Sequence, residues 1–436
     1  MTDRDPSPPD ALSRAAPGRG RDIAFMVVAM GVSLPWLALR LTGFHGDPAT
    51  TAALAGLAIV GAAFVLSWAA EAFEKDVSQA LALALLALIA VLPEYAVGMV
   101  FAWNAASDPA QASYAVANMT GANRLLIGVG WSAIVLVSWL RFRQTKVTLE
   151  RGQAIELAVL LAATLYAFSI PFKGGLSLFD TVVFVALFGV YTWAAARAPS
   201  REPELVGPAR LVGGLPTMSR RLVTFGLFIF AAAAIFISAE PFAEGLVETG
   251  LHFGIDEFLL VQWLGPIASE SPEFLVALLF AWRADAAAGL RTLVSSKVNQ
   301  WTLLVGTLSL VYSIASGAPH PLPLDDRQIL ELFLTGAQSL FAVVLILVLA
   351  LNWKGAIALF GLFLGQLLVP FEGGHLWFAI AYIVLAIGLL VFDGERRTAL
   401  LRLPLDVRRA VSGRPAAEPV PELHPAPTEH GARVEA

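Results

Sequence analysis

The sequence predicts an all-α polytopic membrane protein with about 12 transmembrane helices, arranged as two inverted five-helix repeats plus one extra helix at each end. Three features predict this fold: an apolar composition, long apolar runs joined by short loops, and an internal repeat. The repeat also places two glutamates at equivalent positions inside apolar spans. These two glutamates are the centre of the predicted functional site.

The composition is that of a membrane protein. Of the 436 residues, 57% are hydrophobic and 14% are charged, and the mean hydropathy is +0.71. A soluble protein has about a quarter of its residues charged. The chain contains no cysteine, which excludes disulfides, thiolate metal sites and cysteine nucleophiles.

Apolar runs of about 20 residues, the length that spans a bilayer, recur along the chain. They are predicted at 22–43, 51–73, 79–103, 113–140, 154–171, 177–197, 221–247, 256–283, 289–315, 328–351, 355–370 and 375–392. The N-terminal segment lacks the order of charged, apolar and small residues that marks a signal peptide. The first run is therefore predicted to remain as a membrane anchor.

Positive residues in the short loops predict the orientation. With the N-terminus inside, nearly all loop Lys and Arg fall on the cytoplasmic side, and little beyond Lys173 and Arg327 falls outside. Both termini are therefore predicted to be cytoplasmic. A compact chain without a large regulatory loop suits a prokaryotic plasma (inner) membrane.

The internal repeat surrounds two Pro-Glu pairs. The sequence VLPEYAVGMVFAW at 91–103 aligns with SPEFLVALLFAW at 271–282. One offset pairs Glu94 with Glu273 and also pairs the two tryptophans that end these stretches. Each copy holds five predicted spans, and an odd number of crossings inverts the second copy. Inverted repeats in transporters place the substrate site near the midplane between them.

The repeat divides the chain into seven predicted segments. They are a disordered cytoplasmic N-terminus, an extra transmembrane helix, the first repeat, a cytoplasmic linker, the inverted second repeat, another extra helix and a disordered cytoplasmic tail, at 1–21, 22–43, 51–197, 198–220, 221–370, 375–392 and 403–436.

Glu94 and Glu273 lie well inside apolar spans, where an ionised residue costs about 2.5–3.5 kcal/mol on insertion scales. Each therefore needs a cation, a proton or a partner. Each follows a proline, which has no N–H for the carbonyl four residues earlier, so the carbonyls of Ile89 and Ala268 are freed. Carboxylate and carbonyl oxygens are ligands of Ca²⁺. The competing interpretation is a structural ion pair or a protonated carboxyl group.

Further polar residues accompany the two pairs. Ser269 and Glu270 lie four and three residues before Glu273, on the same helical face. The helix after each pair carries Asn118, Thr120, Asn123 and Arg124, or Ser295, Ser296, Lys297, Asn299 and Gln300. These side chains are predicted either to bind a cation or to form hydrogen bonds between helices. For Glu270 the alternative is a partner for Lys297.

Other residues give weaker signals. Glu71, Glu240 and Glu244 lie nearer helix ends and are secondary candidates for an ion pathway. All six histidines, including His375, fall in predicted loops or the tail, so no histidine metal site is predicted inside the membrane. The chain has no G-x-S-x-G elbow, Walker loop or HExxH motif, and an enzyme is not predicted.

From about residue 51 to 370 the chain resembles the cation/Ca²⁺ exchanger superfamily (sodium/calcium exchanger membrane region). The paired α-repeats of that family carry a Gly-Thr-Ser-x-Pro-Glu helix followed by a Gly-Ser-Asn helix. The resemblance implies that Glu94 and Glu273 bind the transported ions. The hydroxyl pair of the family corresponds to Ser269 and Glu270 in the second repeat.

The remaining correspondences are less complete. In the first repeat Ala90 and Val91 stand where the family has hydroxyls. The Gly-Ser-Asn helix resembles GlyAlaAsn at 121–123, or a register around Asn118 and Thr120. The implied ligands of the transported cation are Glu94, Glu273, Glu270, Ser269, Ser296, Gln300, Asn299, Asn118 and Asn123.

Two fixed cations, Lys297 and Arg124, stand beside the expected site. A buried lysine can neutralise a glutamate when no ion is bound and release its proton when one arrives. The alternatives are that both side chains snorkel, or form static salt bridges to Glu94, Glu270 or Glu273.

These features predict a secondary active cation antiporter that works by alternating access, with two buried glutamates as ion ligands. Na⁺/H⁺ and Ca²⁺/H⁺ exchange stand nearly level with Na⁺/Ca²⁺ exchange. A uniport pathway and a non-transporting membrane scaffold or sensor are the alternatives. No resident cofactor and no nucleic acid are predicted; the partners are membrane lipid and the transported cations Ca²⁺, Na⁺ or H⁺.

Overall fold

The structure, a computed structural model, describes residues 18–43, 46–76, 92–197, 205–369 and 372–412. These residues are mostly helical. The helices are α1 (Arg19–Leu41), α2 (Pro48–Phe73), α3 (Leu92–Asn104), α4 (Gln111–Leu125), α5 (Ser132–Phe142), α6 (Ala154–Ala167), α7 (Leu178–Ala195), α8 (Ala209–Gly213), α9 (Thr217–Phe253), α10 (Glu257–Trp282), α11 (Ala286–Asn299), α12 (Val305–Ala315), α13 (Asp326–Ile346), α14 (Trp353–Leu368), α15 (Glu372–Phe392) and α16 (Gly394–Ser412).

Two long helices are interrupted by wider π-helical turns. Leu126–Trp131 joins α4 to α5, and Gln300–Leu304 joins α11 to α12. A short 3₁₀ turn, Arg151–Gln153, precedes α6. π-bulges are rare and frequently lie at functional sites.

Several helices of the described chain begin at a side chain that accepts a hydrogen bond from a free backbone N–H. Asp47 Oδ1 accepts from the Thr50 N–H at 3.1 Å, and this fixes the start of α2. The same role at α10, α11, α13 and α14 is filled by Asp256, Asp285, Asp325 and Asn352. Since such caps stabilise a helix by about 1 kcal/mol, loop residues determine where these apolar helices begin.

Among the described residues, seven helices are long and apolar enough to cross a membrane. The bent helix α10 raises the number to eight. It bends by 58° between Ser271 and Glu273, where a proline leaves no N–H to continue the helical hydrogen bonds. The polytopic helical fold is therefore as predicted, while the number of about 12 spans stays a prediction. Residues 79–91 of the predicted span 79–103 lie outside the described residues.

Four short strands correct the all-α prediction. β1 (Lys146–Thr148) pairs antiparallel with β4 (Ala350–Asn352), and β2 (Gly175–Leu176) pairs antiparallel with β3 (Leu322–Pro323). Each ladder joins a loop from 51–197 to a loop from 221–370. Two or three residues per strand are too few for the sequence pattern to reveal, because strand alternation needs about four.

Helix α16 corrects the disordered tail predicted from residue 403. Leu403 is buried, and Val407 and Val411 pack against the core. Their four-residue spacing forms an apolar face that the charged and proline-containing sequence obscured. Helix α8 and the start of α9 likewise occupy part of the predicted linker 198–220. Residues 413–436 lie outside the described residues.

The two halves of the chain touch at glycines. A side-chain carbon at Gly121 of α4 would lie 1.8 Å from the carbonyl oxygen of Gln262 on α10. A carbon at Gly245 of α9 would lie 2.9 Å from the backbone nitrogen of Ala52 on α2. Small residues permit such close helix contacts inside membranes. The polar segments of α4 and α10 are thereby brought together in the centre of the bundle.

Candidate functional site: a buried carboxylate cluster

Glu94 lies in the first turn of α3. Its side chain is 2% exposed, and within the described part of the chain neither carboxylate oxygen has a hydrogen-bond partner. A buried carboxylate without partners is costly when it is ionised. The position therefore calls for a cation or a proton. The carbonyl of Ile89, also predicted to contribute here, lies outside the described residues, as do Ala90 and Val91.

Glu270 and Glu273 lie on α10 beside its bend. Glu270 is 2% exposed, and its Oε1 accepts a hydrogen bond from Gln300 Nε2 at 2.9 Å. Within the described ranges, Oε2 of each glutamate lacks a partner. The bend lies at the proline whose spacing predicts a freed Ala268 carbonyl. Helix α10 thus supplies two neighbouring carboxylates and, by the proline spacing, is expected to add a backbone carbonyl oxygen.

Lys297 reaches the same region from α11. Its ammonium group donates to Asn123 Oδ1 at 2.6 Å and to the Asn123 carbonyl at 3.4 Å. It also lies 4.4 Å from the centre of the Trp301 ring, a cation–π contact. The side chain is 1% exposed. Lys297 therefore does not snorkel, and Asn123 on α4 holds it inside the bundle.

Glu94, Glu270, Glu273 and Lys297 form one electrostatic unit, called here the carboxylate cluster. Glu94 lies within Coulomb range of Glu273 and Lys297, and Glu270 lies within Coulomb range of the other three groups. Within the described ranges, no three His, Asp or Glu side chains converge closely enough to form a metal-binding group. The cluster is therefore a set of neighbouring charges in which each of the three carboxylates has at least one oxygen without a partner in the described structure, and it forms no closed ligand cage.

Asn118 is the next predicted residue that the structure brings to this region. It is 1% exposed, and neither its Oδ1 nor its Nδ2 has a hydrogen-bond partner in the described structure. The amide lies between two glycines: carbons added at Gly265 and Gly98 would lie 2.6 Å from its Oδ1 and 3.5 Å from its Nδ2. Gly98 is one helical turn after Glu94. Asn118 thus offers an unused amide between α3 and α10.

The remaining predicted ligands differ in position. Ser269 is buried, but its hydroxyl donates to the carbonyl of Gly265 in its own helix at 3.2 Å. Asn299 is buried, and Ser296 is half-buried. Described hydrogen bonds therefore connect Gln300 to Glu270 and Asn123 to Lys297, whereas the Ser269 hydroxyl bonds within its own helix.

Arg124 is not a counter-charge of the site glutamates. Its Nη2 lies 2.5 Å from Glu331 Oε2 on α13, and both side chains are at most 2% exposed. Gln262 donates to the same oxygen at 3.0 Å, and His375 Nδ1 lies 2.8 Å from the other oxygen. These four residues are called here the ion-pair cluster. The alternative in which Arg124 forms static salt bridges to Glu94, Glu270 or Glu273 is therefore wrong.

Sequence reasoning missed Glu331 and misplaced His375. Glu331 is the one ionisable residue in the predicted span 328–351, and a buried arginine requires such a partner. That signal could have identified the pair. His375 lies in the first turn of α15 rather than in a loop, because this helix begins three residues earlier than the predicted span.

The weaker candidates lie elsewhere. Glu71 accepts a hydrogen bond from the backbone N–H of Val206 at 2.9 Å and so fixes the chain before α8. Glu240 and Glu244 are exposed on α9. None of the three is brought to the carboxylate cluster by a described contact.

A polytopic helical bundle with a charged oxygen-rich cluster between its halves is the architecture of a membrane ion transporter. The sodium/calcium exchanger protein family matches residues 48–197 and 223–371. The chain belongs to this family and is a multi-pass membrane protein related to cation antiporters. The resemblance found in the sequence is therefore confirmed.

Solved structures agree with this assignment. The chain is 44% identical to an H⁺/Ca²⁺ exchanger, CAX, with a TM-score of 0.86, covering 90% of this chain and 99% of that one. The Ca²⁺/H⁺ antiporter YfkE is 14% identical with a TM-score of 0.56, covering 83% of this chain and 99% of that one. The second likeness shows the fold alone. No curated protein sequence matches the chain.

Proposed function

We propose that the protein is a Ca²⁺/H⁺ antiporter whose transported cation binds between Glu94 on α3 and Glu270 and Glu273 on α10. The observation that carries this proposal is the buried carboxylate of Glu94, which has no hydrogen-bond partner in the described chain. An ionised carboxylate in that position is tolerable only when a cation or a proton compensates it. Such a site can hold either Ca²⁺ or protons, and the transport reaction is the exchange of one for the other.

The ligand chemistry suits Ca²⁺. Ca²⁺ takes 6–8 oxygen ligands from carboxylates, carbonyls and amides in flexible geometry, according to its general preferences. The cluster and its neighbours provide carboxylates, the Asn118 amide oxygen and the freed carbonyl of Ala268. Glu94 lies on α3 and the other two carboxylates lie on α10, so a cation bound between these helices takes ligands from both halves of the chain.

Protons rather than Na⁺ are proposed as the counter-ion for two reasons. First, the hydroxyl ligands expected of a sodium-coupled site are missing from the first repeat, where Ala90 and Val91 stand. Second, the chain is 44% identical over 90% of its length to a protein described as an H⁺/Ca²⁺ exchanger. Carboxylates within Coulomb range of one another repel when all are ionised, so departure of Ca²⁺ favours their protonation.

The alternating-access mechanism rests on inverted repeats. The β1–β4 ladder joins the loop after α5 to the loop after α13, and the β2–β3 ladder joins the loop after α6 to the loop after α12. The two ladders lie at opposite ends of α6 and of α13. Helix α5 therefore ends at one face of the bundle and α12 at the other, as inversion of the two halves requires. This arrangement supports the proposed 51–197 and 221–370 repeats.

Transport then proceeds by exposure of the cluster to each side in turn. With Ca²⁺ or protons bound, the cluster is compensated and the bundle can reorient. With neither bound, the uncompensated carboxylates oppose movement through the membrane, which couples the two fluxes. The bend in α10 beside Glu273 provides a place where the two ends of that helix can move separately.

The same proposal includes the setting of the protein. Lys146 lies in β1 and Lys354 lies just after β4. Because positive residues are held on the cytoplasmic side, the loops that carry these two strands form the cytoplasmic face, and both termini lie there. The membrane is a prokaryotic plasma membrane. The protein requires membrane lipid, acts as a transporter rather than an enzyme, and uses no resident cofactor or nucleic acid.

Ion flux in proteoliposomes tests this function. Vesicles with an acidic interior should take up Ca²⁺ while the internal pH rises, because protons leave in exchange. Glu273→Gln should lower this uptake by more than the 10–100-fold that loss of an indirect metal partner costs. Glu395→Gln, the same substitution at an exposed residue of α16, is the matched control and should transport normally.

The outcomes separate the alternatives. Uptake driven by a Na⁺ gradient but not by a pH gradient would replace Ca²⁺/H⁺ exchange with Na⁺/Ca²⁺ exchange. Ca²⁺ flux that needs no counter-ion would indicate a uniporter. Absence of any Ca²⁺, Na⁺ or H⁺ flux would overturn the transport proposal and favour a membrane scaffold or sensor.

A further inference from the structure

We propose that helix α16 lies along the membrane surface and that its outer face binds the headgroups of anionic phospholipids. The outer face is the side of α16 that is turned away from the helical bundle. Its exposed arginines and leucines are Arg397, Leu401, Arg402, Leu405, Arg408 and Arg409. The surface is the cytoplasmic one in the orientation proposed above.

Helix α16 begins where a peripheral membrane span ends. The span Gly373–Phe392 of α15 is long and apolar enough to cross a membrane, and only 17% of its apolar stretch is buried inside the protein. Its last residue, Phe392, is 90% exposed. Asp393 alone separates the two helices, and its Oδ1 accepts from the backbone N–H of Arg396 at 3.2 Å. Helix α16 therefore starts at the membrane surface, on the side of the bundle that faces lipid.

The inner face of α16 attaches the helix to the bundle. Leu403 is 6% exposed, and Val407 packs against the core. The helix contacts α6 and the 3₁₀ turn Arg151–Gln153, and Arg396 Nη2 donates to the Leu345 carbonyl at 3.4 Å. These contacts fix the rotation of the helix about its own axis. The outer face is therefore held away from the core of the protein.

The outer face combines apolar and positive side chains in one row. Arg397, Leu401, Leu405 and Arg409 follow one another at four-residue steps, so they lie along the same side of the helix. Leu401 is 75% exposed and Leu405 is 53% exposed. A helix that lies in a membrane interface has this pattern, because its apolar side chains enter the headgroup region while its arginines stay beside the phosphates.

The charge of α16 is complementary to an anionic surface. Its 19 residues contain five arginines and two acidic residues, a net charge of +3, whereas the whole chain has a net charge of −5. Arg402 and Arg408 lie on the two sides of the row. Of the acidic residues, Asp406 lies 3.6 Å from Arg409, and Glu395 lies in the first turn. Basic clusters on an amphipathic helix beside a membrane span bind anionic lipid headgroups.

A lipid fits the outer face of α16 better than a protein partner does. A stable protein interface buries about 800 Å² on each partner and has a centre depleted of charged residues. The outer face instead has two leucines set among four arginines along a single helix. Phospholipid headgroups can contact such a narrow, charged strip one molecule at a time.

A spin label tests where the outer face lies. The chain contains no cysteine, so Leu401→Cys carries a nitroxide at a single site in the full-length protein. In vesicles of phosphatidylcholine and phosphatidylglycerol, this label should collide more often with O₂, which concentrates in the bilayer, than with a water-soluble nickel complex. Ala110→Cys, at an exposed residue before α4, is the matched control and should show the reverse. Both leaflets have the same lipids, so the result does not depend on orientation.

Thermal unfolding in detergent tests the preference for anionic lipid. Added phosphatidylglycerol should stabilise the wild type, whereas phosphatidylcholine should not. Each arginine beside an anionic surface strengthens binding about fivefold. Replacing four arginines with glutamine should therefore raise the phosphatidylglycerol concentration for half-maximal stabilisation by more than about 100-fold. The four substitutions are Arg397→Gln, Arg402→Gln, Arg408→Gln and Arg409→Gln.

A second fourfold variant is the matched control, and its effect on the same concentration should be less than about threefold. It replaces four exposed arginines that lie elsewhere on the cytoplasmic side, Arg19→Gln, Arg21→Gln, Arg143→Gln and Arg197→Gln.

Two kinds of result would overturn the proposal. A label at Leu401 that meets the nickel complex more often than O₂ would show that the outer face lies in water, which would leave it to a protein partner. Equal stabilisation of the wild type by the two lipids, or equal losses in the two fourfold variants, would show that α16 does not select anionic headgroups. Neither measurement involves transport, so both outcomes are distinct from failure of Ca²⁺/H⁺ exchange.

Discussion

Two groups of buried charged side chains lie in the same helical bundle and differ in how far their carboxylates are satisfied. In the ion-pair cluster, both oxygens of Glu331 have partners: Arg124 and Gln262 at one, His375 at the other. In the carboxylate cluster, neither oxygen of Glu94 has a partner in the described chain. Both glutamates are at most 2% exposed.

The number of carboxylate oxygens that have partners distinguishes the two clusters, whereas the degree of burial does not. A buried carboxylate whose oxygens are all occupied contributes to structure, because its partners compensate its charge in every state. A buried carboxylate with free oxygens requires something from outside the chain. The ion-pair cluster is therefore expected to hold the halves together, and the carboxylate cluster to bind the transported cation.

The largest effect on stability is expected for Glu331→Gln. Loss of this carboxylate leaves Arg124 buried and unpaired, and breaking such a pair costs about 3–5 kcal/mol. Thermal unfolding of the purified protein in detergent should show this loss. The double variant Arg124→Met, Glu331→Met removes both charges and should recover most of the stability. A Glu331→Gln protein that is stable but inactive would instead place Glu331 in the transport site.

The opposite pattern is expected for Glu94→Gln. Ca²⁺ at 100 times its Kd should raise the stability of the wild type by about 2.7 kcal/mol, because it binds the folded state. The variant should lose this protection and Ca²⁺ uptake, while its stability without Ca²⁺ is unchanged or higher. Retained protection by Ca²⁺ would show that the ion binds elsewhere. A large loss of stability without Ca²⁺ would indicate that Glu94 has a structural role.

Two glycines that flank Asn118 provide a finer test of the carboxylate cluster. At Gly265 an added methyl group would lie 2.6 Å from Asn118 Oδ1, so Gly265→Ala must displace the amide or its helix. Overpacking of this kind costs about 1–3 kcal/mol. At Gly98 the nearest atom is 3.5 Å away, an ordinary contact, so Gly98→Ala is the matched control.

The measurement for this pair is the Ca²⁺ concentration that gives half-maximal uptake. Gly265→Ala should raise it, because the Asn118 amide no longer lies between α3 and α10, and Gly98→Ala should leave it nearly unchanged. Equal effects of the two substitutions would remove Asn118 from the set of proposed ligands.

The sequence predicted the helical membrane fold and the family, because apolar runs and the paired Pro-Glu motifs are local patterns. It did not predict the two strand ladders, since each joins loops that are far apart in the chain. Helix α16 was missed for another reason. Its apolar face is narrow, and its charged residues resemble those of a solvated tail.

The candidate site was predicted in part for similar reasons. The equivalent positions of Glu94 and Glu273 identified the two carboxylates, and the spacing of Glu270 placed it beside Glu273. The pairing of Arg124 with Glu331 depends on how α4 packs against α13. A short sequence pattern contains no information about that packing. The same is true of the contact between Lys297 and Asn123, which joins residues from the two halves.

The smallest effect is expected for His375→Ala. The imidazole is 21% exposed and makes one contact to Glu331, at 2.8 Å, so its loss should cost about 1 kcal/mol. Arg124 and Gln262 still compensate the Glu331 carboxylate in this variant. Thermal unfolding should therefore fall slightly, and Ca²⁺ uptake should remain within about twofold of the wild type. A loss of uptake of more than about tenfold with normal stability would break the distinction between the two clusters, because it would give the ion-pair cluster a part in moving protons.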